Sequence, residues 1–219
     1  MREYLLIACP NLRQEIQAIM EVDNLRYEVM WLPEELHQSP DRLRAYLDQT
    51  ISQLKDVERV LLPMGRCGNG TIGVHSYAAT LILPKCDDCI DLLLSGEDLA
   101  HVSRPERTYF FTDGWLKGER SFLREYAYMC RRFSEETARE LAGMIYRNYR
   151  QFGYIDTGFG SFAHAAAQTE ALAKAVGVKT VCLPGRYEVL RQMLRGQLDS
   201  DDFIVVPPGH AVEQAYWQR

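Results

Sequence analysis

The sequence predicts an α/β protein of two Rossmann-like lobes with mainly parallel sheets, joined by a helical pair. Three observations predict it. Short apolar runs alternate with amphipathic stretches along the chain, and several of the runs are closed by proline (WLPEEL, LLPMGR, LILPKC, CLPGRY, VVPPGH). Between residues 116 and 149 the alternation gives way to long helical periodicity. Strands separated by helices of this length imply right-handed crossovers and therefore parallel pairing.

In chain order, residues 4–8 are the first apolar run, and 12–20 follow with helical spacing. Residues 27–32 are a second strand, stopped by Pro33. The stretch 40–54 sets Leu43, Tyr46, Leu47, Ile51 and Leu54 on one face with charges opposite, the pattern of a helix lying on a sheet. Residues 59–62, 79–83 and 108–112 are the third, fourth and fifth strands. Helices are expected over 119–133 and 135–150. Ser134 caps the second, because its hydroxyl can accept from first-turn N–H groups. After Gly153 come a strand at 154–156, an Ala-rich helix over Phe162–Val176 ended by Gly177, and a strand at 180–183. A helix at 187–194 and a last strand at Phe203–Val206 complete the chain. The expected division is an N-terminal lobe at 1–115, a helical connector at 116–150 and a C-terminal lobe at 151–219. One continuous sheet is the alternative.

Composition narrows the function classes. With 219 residues, 47% hydrophobic and 25% charged, the chain reads as a soluble globular protein. A net charge of -5 without a Lys/Arg stripe argues against a nucleic-acid partner. The apolar run in MREYLLIACPNLRQEI is too short for a signal peptide or a membrane span. A cytoplasmic location with no membrane partner is therefore expected. There the six cysteines serve ligation or packing, not disulfides.

Proline lacks a ladder donor and sets φ for the following turn, so the proline-closed runs mark the carboxyl edge, where open α/β sheets bind ligands. Cys9, Cys67, Cys86 and Cys89 fall at such strand ends. Topology would gather them into one thiolate cluster, which reads as a metal site. Cys86 and Cys89 form a Cys-x-x-Cys, a spacing that lets two sulfurs reach one ion, and also that of a redox dithiol. Cys67 lies in Gly-Arg-Cys-Gly-Asn-Gly, where Gly65, Gly68, Asn69 and Gly70 offer backbone that can approach a cofactor. Cys130 and Cys182 lie elsewhere and read as small hydrophobes of the core.

Arg66 and Lys85 flank the cysteines and are candidates to bind a substrate carboxylate or to balance thiolate charge. Asp113, in Thr-Asp-Gly-Trp, is a catalytic candidate, with a plain turn as the alternative. Asp156, Thr157, Arg186 and Tyr187 would be the opposing lobe's contribution, Arg186 to substrate binding. His210, after the last strand, is expected as acid/base or fourth ligand, whereas His37, His101 and His164 read as surface or packing residues. The stretch 65–73 lacks the spacing and Gly-Lys-Ser/Thr ending of a Walker loop, and no Rossmann fingerprint is read in the chain.

The segments LLIAC, PMGRCGNGTIG, LPKCDDCIDLLL, TYFFTDGWLKGE and DFIVVPPG resemble the bacterial and archaeal proteins catalogued as domain-of-unknown-function family sixteen-thirty-eight. The resemblance matches Cys9, Cys67, Asp88 and Cys89. Many relatives resemble a Pro-Arg-x-His-Asp-Cys loop, where this chain has Asp87 in the His position, so a thiolate-dominated site is expected. Members are often encoded near corrinoid-dependent methyltransferases, which implies a role in one-carbon metabolism. The chain lacks an Asp-x-His-x-x-Gly signature, so a corrinoid would come on a partner protein.

Two cofactors suit such thiolates. Zinc with one open position would bind a small thiol and present it to a methyl donor. A [4Fe-4S] cluster held by three cysteines would suit a lyase or dehydratase. Zinc is the leading expectation, and a non-catalytic accessory protein is the alternative to an enzyme on a small thiol or carboxylate.

Overall fold

In the computed structural model, which describes residues 2–218, the chain divides into two units. One comprises the chain up to Val102 together with the stretch from Arg186 onward; the other is Ser103–Gly185.

The first unit opens with β1 (Arg2–Ala8), α1 (Arg13–Val22), β2 (Glu28–Trp31) and α2 (Pro40–Ser52). β3 (Val57–Leu61), β4 (Thr80–Pro84) and α3 (Cys89–Leu94) follow. The sheet order begins β2-β1-β3-β4, with all these neighbours parallel. The chain leaves β1 toward one side and places β3 on the other, so a topological switch point falls between β1 and β3. Open α/β sheets bind ligands outside the carboxyl ends of strands at such a point.

Strand alternation divides the core between the two sheet faces. Leu5, Ile7, Val60, Leu62, Leu81 and Leu83 face a cluster shared with Leu43, Leu47 and Ile51 of α2, whose spacing aligns them along one side of the helix. Leu6, Leu61 and Ile82 are equally buried between them and turn to the other face.

In the second unit, β5 (Thr108–Phe111), α4 (Asp113–Lys117), α5 (Phe122–Arg132), α6 (Glu135–Tyr146), β6 (Gln151–Asp156), α7 (Phe162–Val176) and β7 (Lys179–Pro184) follow in order. The sheet is β5-β6-β7 and wholly parallel. Its core is aromatic: Phe111, Phe122, Phe152 and Tyr154 are fully buried or nearly so, with Phe111 and Phe122 ring centroids 5.3 Å apart. Ser134 caps α6 as expected, accepting from the Thr137 N–H at 3.2 Å.

The chain then returns to the first unit through α8 (Glu188–Leu194) and β8 (Phe203–Val206). α8 packs on α1 and α3. At the end of α1, Asp23 accepts two bonds from Arg195, at 2.8 and 2.7 Å. β8 joins the sheet beside β4 and runs antiparallel to it.

Three features differ from the sequence reading. The units divide near 102 and 185, not at 115 and 150, because the last strand pairs with β4 in the first sheet. The helices α5 and α6 lie within the second unit and do not join the lobes. Hydrophobic periodicity specifies neither strand partner nor strand direction, so neither feature was available from it. Cys130 and Cys182 are exposed, not core residues. Among the described residues no helix is long and apolar enough to cross a membrane.

Candidate functional site

Parallel pairing of β1, β3 and β4 puts their carboxyl ends on one edge, and the cysteine loops leave from that edge. Cys9 follows β1 directly and opens a 3-10 turn at Pro10–Leu12. Cys67 lies in the loop after β3. Cys86 follows β4, and Cys89 is the first residue of α3, whose N-cap Asp88 accepts from the Ile90 N–H at 2.8 Å.

Backbone bonds lace two of these loops together. Arg66 N–H donates to the Cys86 carbonyl at 3.0 Å, and Cys67 N–H donates to the Asp87 carbonyl at 2.8 Å. Such close approach requires glycine at 65, where a Cβ would stand 2.1 Å from the Cys86 oxygen. Cys67 itself has φ +45°, in a region that L-residues other than Asn and Asp seldom occupy. Strain of this kind concentrates at functional sites, held there by the surrounding structure.

The thiols share one electrostatic neighbourhood. Burial pushes the Cys67 thiol up to about 12, and the charges of Asp88 and Cys9 add to the effect. Burial also pushes Cys9 up to about 11, opposed by the backbone N–H of Asn11 and reinforced by Glu34. Cys89 is raised well above the usual thiol range by burial, then by Cys9, Asp88, Cys67 and Cys86. The Cys86 thiol is buried and donates to the Asp88 carbonyl at 3.3 Å. A redox dithiol at a helix start has a lowered thiol pKa. Cys89 is shifted the opposite way, first by its burial. Soft sulfurs suit a cation that would displace their protons. The set is not preassembled: among the described residues no three or more His, Cys, Asp or Glu side chains are grouped to hold an ion.

The other candidates separate by position. Arg66 is paired with Asp87, donating through Nε at 3.1 Å as well as through its terminal nitrogen. Asp87 thus holds the arginine beside the Cys86–Cys89 turn. Gly68 and Gly70 pack against Pro40 and Leu43, and the Asn69 carbonyl accepts from Arg44 at 3.0 Å. The room these glycines leave is taken up by α2. Lys85 continues β4, its N–H bonded to the Asp202 carbonyl at 2.6 Å. The Arg186 N–H bonds to the Leu93 carbonyl at 2.8 Å, placing its backbone at the end of α3 remote from Cys89.

His210 is displaced by strand direction. Leu81 at the start of β4 pairs with Val206 at the end of β8, so the chain after β8 emerges at the edge opposite the cysteines. There the His210 carbonyl accepts from the Ser76 N–H at 2.8 Å. The last strand's prolines therefore do not mark the carboxyl edge of the sheet.

Asp113 belongs to the second unit. It is 8% exposed and accepts from the fully buried Tyr154 hydroxyl at 2.6 Å. The chain does carry the glycine spacing of a dinucleotide loop, Gly158-Phe159-Gly160-Ser161-Phe162-Ala163 between β6 and α7, which the sequence reading missed. A Cβ at Gly160 would lie 1.4 Å from an Asp113 carboxyl oxygen. The space freed by that glycine holds this carboxyl group, where a dinucleotide loop would receive a pyrophosphate.

The turn Glu34–Gln38 after β2 was also missed. Glu34 bears on Cys9, and His37 is shifted down by desolvation and upward by Asp88. Both residues thus border the cluster. The only sequence signal was their position just after a proline-closed strand.

Fold and site define an α/β protein whose first sheet brings Cys9 and Cys67, both partly exposed, and the buried Cys86 and Cys89 to one edge beside its switch point. The chain belongs to the family described as "Protein of unknown function (DUF1638)", whose model matches residues 31–194 and so includes Cys67, Cys86 and Cys89. No curated protein and no solved structure gives a significant match.

Proposed function

We propose that Cys9, Cys67 and Cys89, with Cys86 as a fourth donor, hold a soft metal ion, zinc in the leading reading. The protein would then be an enzyme acting on a small thiol or carboxylate in methyl-group metabolism. The observation that carries the reading is the delivery of Cys9, Cys67 and Cys89 to one sheet edge by three adjacent parallel strands, with Cys9 bearing on Cys67 and both bearing on Cys89. Neutral side chains placed for packing alone need no such convergence at a switch point.

Zinc held by Cys9, Cys67 and Cys89, with Cys86 giving up the fourth position to substrate, would supply a Lewis acid that lowers the pKa of a ligated thiol. The chain's own groups do the rest. The thiols would release their protons on binding an ion, and the backbone N–H groups of Asn11 and Gly65 favour the thiolate forms of Cys9 and Cys67. Arg66, oriented by Asp87, offers a cation at the rim for a substrate carboxylate. A corrinoid-borne methyl group would arrive on a partner protein.

The test is metal analysis of anaerobically purified protein with its visible spectrum. A colourless protein with one zinc per chain supports the reading. Iron with sulfide and a brown colour would replace zinc by a cluster on the same thiols, and no bound metal would contradict both. Turnover of a methyl donor with a thiol acceptor then separates an enzyme from an accessory protein.

A further inference from the structure

The segment after β8 contacts both loops of the thiol site. Val212 N–H donates to the Val74 carbonyl at 2.9 Å, and the Val212 carbonyl accepts from Gly73 N–H at 2.8 Å. These bonds hold the segment against the stretch that follows Cys67. It then forms a 3-10 turn at Gln214–Trp217, with Tyr216 and Trp217 packed on the cluster that includes α2. From there the Trp217 indole Nε1–H donates to the Cys86 carbonyl at 3.0 Å.

That carbonyl also accepts from Arg66 N–H at 3.0 Å. One oxygen is therefore the meeting point of the glycine loop, the Cys86–Cys89 turn and the C-terminal segment. A carbonyl with two donors has both lone pairs engaged, and its peptide plane cannot rotate without breaking one of them.

We propose that Trp217 is a positioning residue of the thiol site, fixing the turn that carries Cys86 and Cys89. Its purpose rests on the metal-thiolate reading above, whereas its geometry does not. Tyr216 packs on the same core cluster and serves as the control for packing.

The test compares Trp217→Phe, which keeps an aromatic ring and removes the donor, with Tyr216→Phe. In reduced, metal-free protein, alkylation of each cysteine is followed by peptide mass spectrometry. Losing one neutral hydrogen bond should raise the alkylation rates of Cys86 and Cys89 about fivefold in Trp217→Phe. The exposed Cys130 and Cys182 should be unchanged, and Tyr216→Phe should match the unsubstituted protein. After loading with cobalt(II), chelator should strip the metal faster from Trp217→Phe by a similar factor.

Unchanged rates at Cys86 and Cys89 would overturn the positioning role. So would equal acceleration at Cys9, Cys67, Cys86 and Cys89 together with a lower thermal midpoint, which would make Trp217 a general packing residue. If the alkylation effect appears but the unsubstituted protein takes up no cobalt, the positioning role stands and the metal reading falls.

Discussion

The Cys67 N–H donates to the Asp87 carbonyl at 2.8 Å, joining two loops that leave neighbouring strands. With the Arg66–Cys86 bond beside it, this pairing extends the β3–β4 contact beyond the sheet and into the thiol cluster. The site is thus an extension of the fold's own hydrogen bonding.

That pairing depends on Gly65. A side chain there would meet the Cys86 oxygen at 2.1 Å, and neither backbone can retreat without giving up the two bonds. Gly65→Ala should cost about 2–3 kcal/mol, in the range of overpacking substitutions, and should weaken metal uptake. Urea unfolding and cobalt titration check the two effects.

The raised thiols make a prediction at alkaline pH. A folded pKa above the unfolded value stabilises the protein fully below the unfolded pKa, and that contribution is lost as pH rises through the folded value. For Cys9 and Cys67 the loss falls between the ordinary 9.0 and about 11 to 12. The urea midpoint of metal-free protein should therefore decline over that window, and Cys67→Ala should flatten the decline. A midpoint independent of pH there would contradict the shifts.

Asp23 gives the opposite sign. Its hydrogen bonds from Arg195 hold the carboxyl below its usual value. The stabilisation is present above the unfolded pKa and disappears as pH falls through the lowered folded one. Asp23→Asn should lower the urea midpoint at pH 7 and lose that difference in strong acid, where both proteins carry a neutral side chain.

In the second unit, Tyr154→Phe removes the donor to the nearly buried Asp113 carboxyl. Leaving a buried acceptor short of its partner costs about 1–3 kcal/mol. Calorimetry should show a lower thermal midpoint, with thiol-site metal binding unchanged.

How much of this was legible in the sequence depends on what periodicity encodes. The ends of β1, β3 and β4 could be read because apolar runs stop at Cys9, Pro63 and Pro84, and their common edge followed from parallel crossovers. His210 was misplaced because a strand's alternation is identical in either direction, and β8 is antiparallel. Trp217 left no trace, since a single indole reaching back across 131 residues has no local pattern. His37 and Glu34 were passed over because the 3-10 turn that carries them shows neither helical nor strand spacing.

The central claim is that Cys9, Cys67 and Cys89, joined by Cys86, bind one ion. Cobalt(II) titration of metal-free protein, followed by the sulfur-to-cobalt charge-transfer absorption, tests it most directly. The account predicts saturation at one cobalt per chain, with the band diminished in Cys9→Ser, Cys67→Ser and Cys89→Ser and intact in Cys130→Ser and Cys182→Ser. A band that persists undiminished in Cys67→Ser and Cys89→Ser, or no band at all, would contradict it.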